Sequence, residues 1–173
     1  MAKKVLSMIL ILLFVFSGFS CKKQEEGPDL IAPIDGFMGS ISVGICSNAP
    51  NETEKAVIGK LEELLLGEEH HVVITESSDL SASVQDFVAG GMDFILVVGD
   101  KKGSISKEAA DSAAEMGSYL VSFGESLSKK HIDTLYRFDM GKLSEEDAAN
   151  RLLQYLYGIV ILAEDCPKEY TAK

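Results

Sequence analysis

Three histidines and three cysteines are the side chains of this 173-residue chain best suited to ligate a metal or attack a substrate. Their spacing favours neither role. His70-His71 and His131 stand at no ligand-like interval from a cysteine or a carboxylate pair, whereas metal sites gather their donors through short, regular spacings. Surface or strand-end positions suit them better, and no metal or cofactor is expected. Cys46 is followed by Ser47, but no base lies near it and no Gly-x-Ser-x-Gly turn exposes a nucleophile. A small buried thiol is the simpler reading. Phosphate chemistry is disfavoured too. No Gly-x-Gly-x-x-Gly follows the first strand, no Gly-Lys-Ser/Thr occurs, and Glu52 and Glu54 fill the positive helix end that would hold an anion. No enzyme is expected.

Hydrogen bonding to a bound molecule is the chemistry that remains. Polar residues fall in short segments after each predicted strand, and Ser47, Asn48, Asn51, Glu76, Asp100 and Glu125 are the candidate ligand contacts. Asp139 to Lys142 follow the last strand. This set suits a neutral polar solute. It is equally ordinary for solvent-facing loops.

The element that organises these segments is Phe94-Ile95-Leu96-Val97-Val98, five apolar residues bounded by Gly91 and Gly99. A strand without polar alternation is covered on both faces, which implies a parallel sheet between layers of helix. Further strands are predicted at Ile41–Cys46, His71–Thr75, Tyr119–Phe123 and Ile132–Phe138, the last with the alternation of an edge strand. Asn51 and Glu54 form a capping box ahead of a helix with Val57, Ile58, Leu61, Leu64 and Leu65 on its apolar stripe. Ser81 or Ser83 opens a second helix, and Lys107 to Met116 form a third. Ser144 with Asp147 caps a fourth, in which Tyr155, Tyr157, Ile161 and Leu162 lie off the core stripe. Residues 159–162 could continue that helix or form a short strand. The expected fold is α/β: a doubly wound parallel five-stranded sheet of order 2-1-3-4-5, a flavodoxin-like single lobe with helices on both faces. Its ligand crevice would lie beyond the carboxyl ends of the strands, at the switch between strands one and three.

Residues 1–20 stand apart from this lobe. Lys3 and Lys4, an apolar run from Val5 to Phe16, and Ser17-Gly18-Phe19-Ser20 make a secretory signal, too short for a comfortable membrane span. Gly18-Phe19-Ser20-Cys21 resembles a relaxed bacterial lipobox without its usual leucine, so Cys21 is the expected acylation site, with an ordinary signal peptide as the alternative. Residues 21–39 read as a flexible tether, 40–165 as the lobe and 166–173 as a C-terminal tail. The expected location is the cell envelope, with the protein lipid-anchored to a membrane. The formal charge is −11, and removing residues 1–20 takes away two lysines and no acid. Such acidity disfavours nucleic acid. Cys46 and Cys166 are expected unpaired, being at opposite poles of the sheet.

From Ile41 to about Leu156 the chain resembles the first lobe of a type I periplasmic binding protein, the superfamily of sugar-binding and nucleoside-binding basic membrane lipoproteins. The residues that carry this are Ile41 to Ile45, Phe87-Val88-Ala89-Gly90-Gly91-Met92-Asp93-Phe94-Ile95-Leu96-Val97, Ala109 to Gly117 with Tyr119-Leu120-Val121, and Asp139-Met140-Gly141 with Ala148-Ala149. The resemblance implies a small polar solute, a sugar or nucleoside, held in an envelope transport or sensing system. Two departures bear on this. Ala49-Pro50-Asn51-Glu52 lacks the aromatic pair that stacks a pyranose, and Gly124-Glu125 replaces an Asp-Arg pair. The second lobe that would clamp a ligand does not follow. A non-transport lipoprotein using the lobe for oligomerisation or for an envelope protein partner is therefore kept as an alternative.

Overall fold

The computed structural model describes residues 39–99, 105–124 and 134–172. Cys21, Asp100, Glu125 and His131 lie outside the described residues, as do the signal and nearly all of the tether. Six strands, β1 (Ser42–Ser47), β2 (His71–Glu76), β3 (Phe94–Val98), β4 (Tyr119–Phe123), β5 (Leu135–Asp139) and β6 (Glu169–Thr171), form one sheet of order β2-β1-β3-β4-β5-β6. Every pair is parallel. The helices between them are α1 (Glu52–Gly67), α2 (Leu80–Ala89), α3 (Lys107–Glu115) and α4 (Glu145–Leu162).

The middle strand behaves as its composition dictates. All five residues of β3 are buried. Phe94, Leu96 and Val98 point into the core shared with α1 and α4, and Ile95 and Val97 into the core shared with α2 and α3. Alternate side chains of a strand leave opposite faces, so a strand apolar at every position needs helices on both. The approach of α2 is close: a Cβ on Gly44 of β1 would stand 2.6 Å from the Phe87 ring. Cys46 faces the α2/α3 core and Cys166 the α1/α4 core, so the two thiols, which form no disulfide, are on opposite sides of the sheet.

Four details differ from the sequence expectation. The five expected strands keep their order, but a sixth is added from residues read as a tail. Tyr170 stacks on Phe138 and Tyr155 with ring centroids 5.6 and 5.4 Å away, Tyr155 donates to the Pro167 carbonyl at 2.6 Å, and Arg137 pairs with Glu169 at 2.7 Å. These contacts draw the chain back alongside β5. Consequently β5 is interior, not the edge its alternation suggested. Tyr155 and Tyr157 are buried, because β6 and the turn before β2 cover the side of α4 that a single stripe leaves open. Lastly, α2 is capped by Asp79, whose Oδ1 accepts from the Ala82 N–H at 3.0 Å. Ser81 instead accepts from the N–H of Ser106, the N-cap of α3, at 2.8 Å. Residues 159–162 continue the helix.

Candidate functional site

The first turn of α1 supplies the main wall of the site. Asn51 stands in extended backbone at the N-cap; its Oδ1 accepts from the Glu54 N–H at 2.9 Å while Glu54 Oε2 accepts from the Asn51 N–H at 2.8 Å. This reciprocal pair satisfies donors that a helix start leaves open. It also fixes the Glu54 carboxylate in one place, only 6% exposed.

Beyond this turn lie the carboxyl ends of β4 and β5. Together they enclose a cleft of about 390 Å³ lined by Asn51, Glu52, Thr53, Glu54, Phe123, Gly124, Asp139, Met140 and Gly141. Small-molecule sites commonly measure about 300–1,000 Å³. Gly124 has φ +119°, and a Cβ there would overlap Glu54 Oε1. Only glycine adopts this backbone without strain, and it leaves the carboxylate room beside the strand end. Across the cleft, Asp139 Oδ1 accepts from the Gly141 N–H at 2.9 Å and shapes the turn into α4. Two hollows of about 340 and 330 Å³ lie between α1 and α4 and at the amino ends of β4 and β5. Neither is lined by a buried charged residue.

The structure separates the candidate contacts. Asn51 lines the cleft. Ser47 is buried at the end of β1, and its carbonyl accepts from the Ser77 N–H at 2.9 Å. Asn48 donates its N–H to the Val98 carbonyl at 3.1 Å, beneath the rim. Glu76 ends the edge strand β2 and is exposed. Sequence reasoning did not single out Glu54 as a contact. Its capping role was visible and accounted for it fully; its burial is set by β4 and Gly124, which no local pattern reveals. Asp139, read as following the last strand, ends β5 and lines the cleft; it was not among the candidate contacts.

Among the described residues no group of three histidine, cysteine or acidic side chains is placed to hold a metal, and no helix is long and apolar enough to cross a membrane. The Cys166 thiol, under the end of α4, is pushed up to about 11 by burial. That keeps it protonated and a poor nucleophile at neutral pH.

No protein-family model matches the chain, and no curated protein matches it. Among solved structures it is similar to an ABC transporter periplasmic solute binding protein from Actinobacillus succinogenes 130z with bound D-allose, at 10% identity and TM-score 0.48 over 78% of this chain and 58% of that one. It is also similar to an ABC transporter solute binding protein from Bacillus halodurans C-125 with bound myo-inositol, at 11% identity and TM-score 0.47 over 76% and 55%. A third is the Caulobacter myo-inositol binding protein, at 16% identity and TM-score 0.42 over 78% and 57%. The chain thus spans little more than half the length of each.

Proposed function

We propose that this is an envelope lipoprotein, acylated at Cys21, whose single lobe binds a small polar solute such as a sugar or nucleoside at the carboxyl edge of its sheet. The observation that carries this reading is the cleft itself. A buried carboxylate, a helix start and two glycine-bearing strand ends converge on one hollow of about 390 Å³ at the carboxyl edge of the sheet, beyond β4 and β5 rather than at the expected switch between β1 and β3. Thermal denaturation of the full chain in detergent, with a panel of monosaccharides and nucleosides, tests it. A ligand of the folded state raises the melting temperature by mass action. A panel without any shift would overturn the reading. The anchor is tested separately: Cys21→Ser should move the protein from the detergent phase to the aqueous phase.

A second reading, self-association through the lobe, is favoured by one observation. Val160 and Ile161 are adjacent on the last turn of α4 and are 39% and 54% exposed, a feature that often marks contact surfaces. Sedimentation of the wild type against Ile161→Glu distinguishes the two readings.

A further inference from the structure

We infer that the outer edge of β2 pairs antiparallel with the same strand of a second copy of this chain, joining two sheets across a two-fold axis. The inference needs neither the solute site nor the exposed end of α4. β2 ends the order of strands, and among the described residues no strand lies beyond it. The His71 N–H donates to the Ile41 carbonyl at 3.1 Å and the Ser77 N–H to the Ser47 carbonyl at 2.9 Å, so the odd-numbered residues of β2 bond to β1. Val72, Ile74 and Glu76 therefore turn their N–H and carbonyl groups outward. Exposed strand edges are ordinarily blunted by brevity, lysine, proline or a bulge. The opposite edge, β6, is blunted by its length of 3 residues. β2 has 6 residues in unbroken register with β1, and between His71 and Glu76 it carries Val72, Val73, Ile74 and Thr75.

A second copy is the occupant that this edge complements. A two-fold axis through Ile74 sets that residue opposite its own copy, Val72 opposite Glu76 and Val73 opposite Thr75. The outward groups of Val72, Ile74 and Glu76 then meet in hydrogen-bonded pairs, and no like charges stand opposite each other. Ile74, 39% exposed, is covered by its twin. The flank of α1 fits the same axis. The charge of Glu76 is felt at Lys55, which puts the start of α1 beside the end of β2. Ile74 lies two residues back along the strand, about 7 Å away, and Gly59 lies four residues on along the helix, about 6 Å away, so the two are level. A Cβ on Gly59 would meet nothing within 4 Å, and the flank is low where the axis passes. Lys55 and Glu62 share this flank with Gly59 at helical spacing, one on either side of the axis. The two-fold thus brings Lys55 of each copy to Glu62 of the other. The bond of Lys55 to Glu52, at 3.0 Å, is exposed, and the ammonium has further hydrogens to donate. Pairing of β2 with β6 would be head-to-tail and would not close on itself.

Sedimentation of the full chain in density-matched detergent tests the pairing. The wild type should sediment at twice the mass of one chain. Ile74→Lys sets like charges against each other at the axis and should return the mass to that of one chain, with the circular dichroism of the wild type. Lys55→Glu should raise the dissociation constant about tenfold by setting like charges on both flanks, and adding Glu62→Lys should restore it. Disulfide trapping checks the register. Ile74→Cys, in a chain that also carries Cys21→Ser, should cross-link two copies on mild oxidation, because hydrogen-bonded partners on antiparallel strands have Cα atoms about 5.5 Å apart, within disulfide reach. Thr75→Cys in the same background should not, since its partner is Val73 and the two copies of residue 75 stand about 8 Å apart. A monomeric wild type, a dimer that Ile74→Lys leaves intact, or equal cross-linking at the two positions would overturn the inference. A dimer split by Ile161→Glu and not by Ile74→Lys would assign the association to α4 and overturn it too. Should Ile74→Lys not fold, the cross-linking pair and the charge exchange between Lys55 and Glu62 decide the matter.

Discussion

The hydroxyl of Tyr157, on the last turns of α4, lies 2.6 Å from Nε2 of His70, just ahead of β2. Both are buried. The Ile41 N–H donates to His70 Nδ1 at 3.4 Å, which assigns the imidazole proton to Nε2 and directs it at the tyrosine oxygen; that hydroxyl in turn donates to the Glu68 carboxylate. The chain of bonds joins the end of α4 to the turn between α1 and β2. Tyr157→Phe keeps the ring but removes the hydroxyl that bonds both His70 and Glu68, and losing such buried bonds costs about 1–3 kcal/mol. Urea denaturation should show that loss, and an unchanged midpoint would mean that water replaces the hydroxyl.

Gly44→Ala is predicted to destabilise by about 1–3 kcal/mol, the usual cost of overpacking. Its Cβ would stand 2.6 Å from Cγ of Phe87, so α2 must move or the ring must shift. The double variant with Phe87→Ala, which removes the three ring atoms nearest that Cβ, should lose less than the sum of the two single losses. Additive losses in the two variants would show that the contact is not the cause.

Leu96 is fully buried at the middle of β3, beside Ile45 and Val121. Leu96→Ala should cost about 2–5 kcal/mol, a large share of a typical domain's stability. A melting temperature within error of wild type would contradict the placement of β3.

Alkaline pH should destabilise the fold. Burial raises the hydroxyls of Tyr155 and Tyr157 and the Cys166 thiol above their ordinary values, the thiol from 9.0 to about 11. For a group whose folded value is the higher, the stabilisation is complete below the unfolded value and is lost as pH rises through the folded one. The urea midpoint should therefore hold up to about pH 9 and fall towards pH 11. Cys166→Ala should flatten part of that fall. A midpoint independent of pH across this window would show that the three groups open to solvent without cost.

If α4 supports self-association, Ile161→Glu should lower the sedimenting mass with little change in melting temperature, because the residue is 54% exposed. A wild-type protein that sediments as a monomer would remove that reading.

The sheet was legible because its strands are of the kind that local pattern describes well. β3 has no polar position, the reciprocal cap of Asn51 and Glu54 is a four-residue signal, and Gly91 and Gly117 follow the helices they end. β6 was not legible. It has three residues, follows Cys166-Pro167-Lys168, and forms through aromatic contacts between Tyr170, Phe138 and Tyr155 that are remote in sequence. The same contacts explain why β5, alternating in pattern, is interior, and why Tyr155 is core. The edge of the sheet that carries the cleft could be deduced from topology, while the identity of its buried charge could not. Glu54 reads as a capping residue until β4 closes over it.

The direction in which β1 runs sets two opposite edges of the sheet apart by charge. The chain comes into β1 at the amino edge of the sheet, where the Ser40 hydroxyl meets the Glu69 carbonyl, and the cleft opens at the opposite edge. Seventeen residues separate Cys21 from residue 39, a leash of at most about 60 Å when fully extended. The carboxyl ends of α1 and α4 lie at that same amino edge and lack basic residues in their last turns. Negative helix ends and Glu68, Glu69, Glu164 and Asp165 would be repelled by anionic headgroups. An anionic surface brought to that edge would therefore be held off, while the cleft faces away from it on the far side of the sheet.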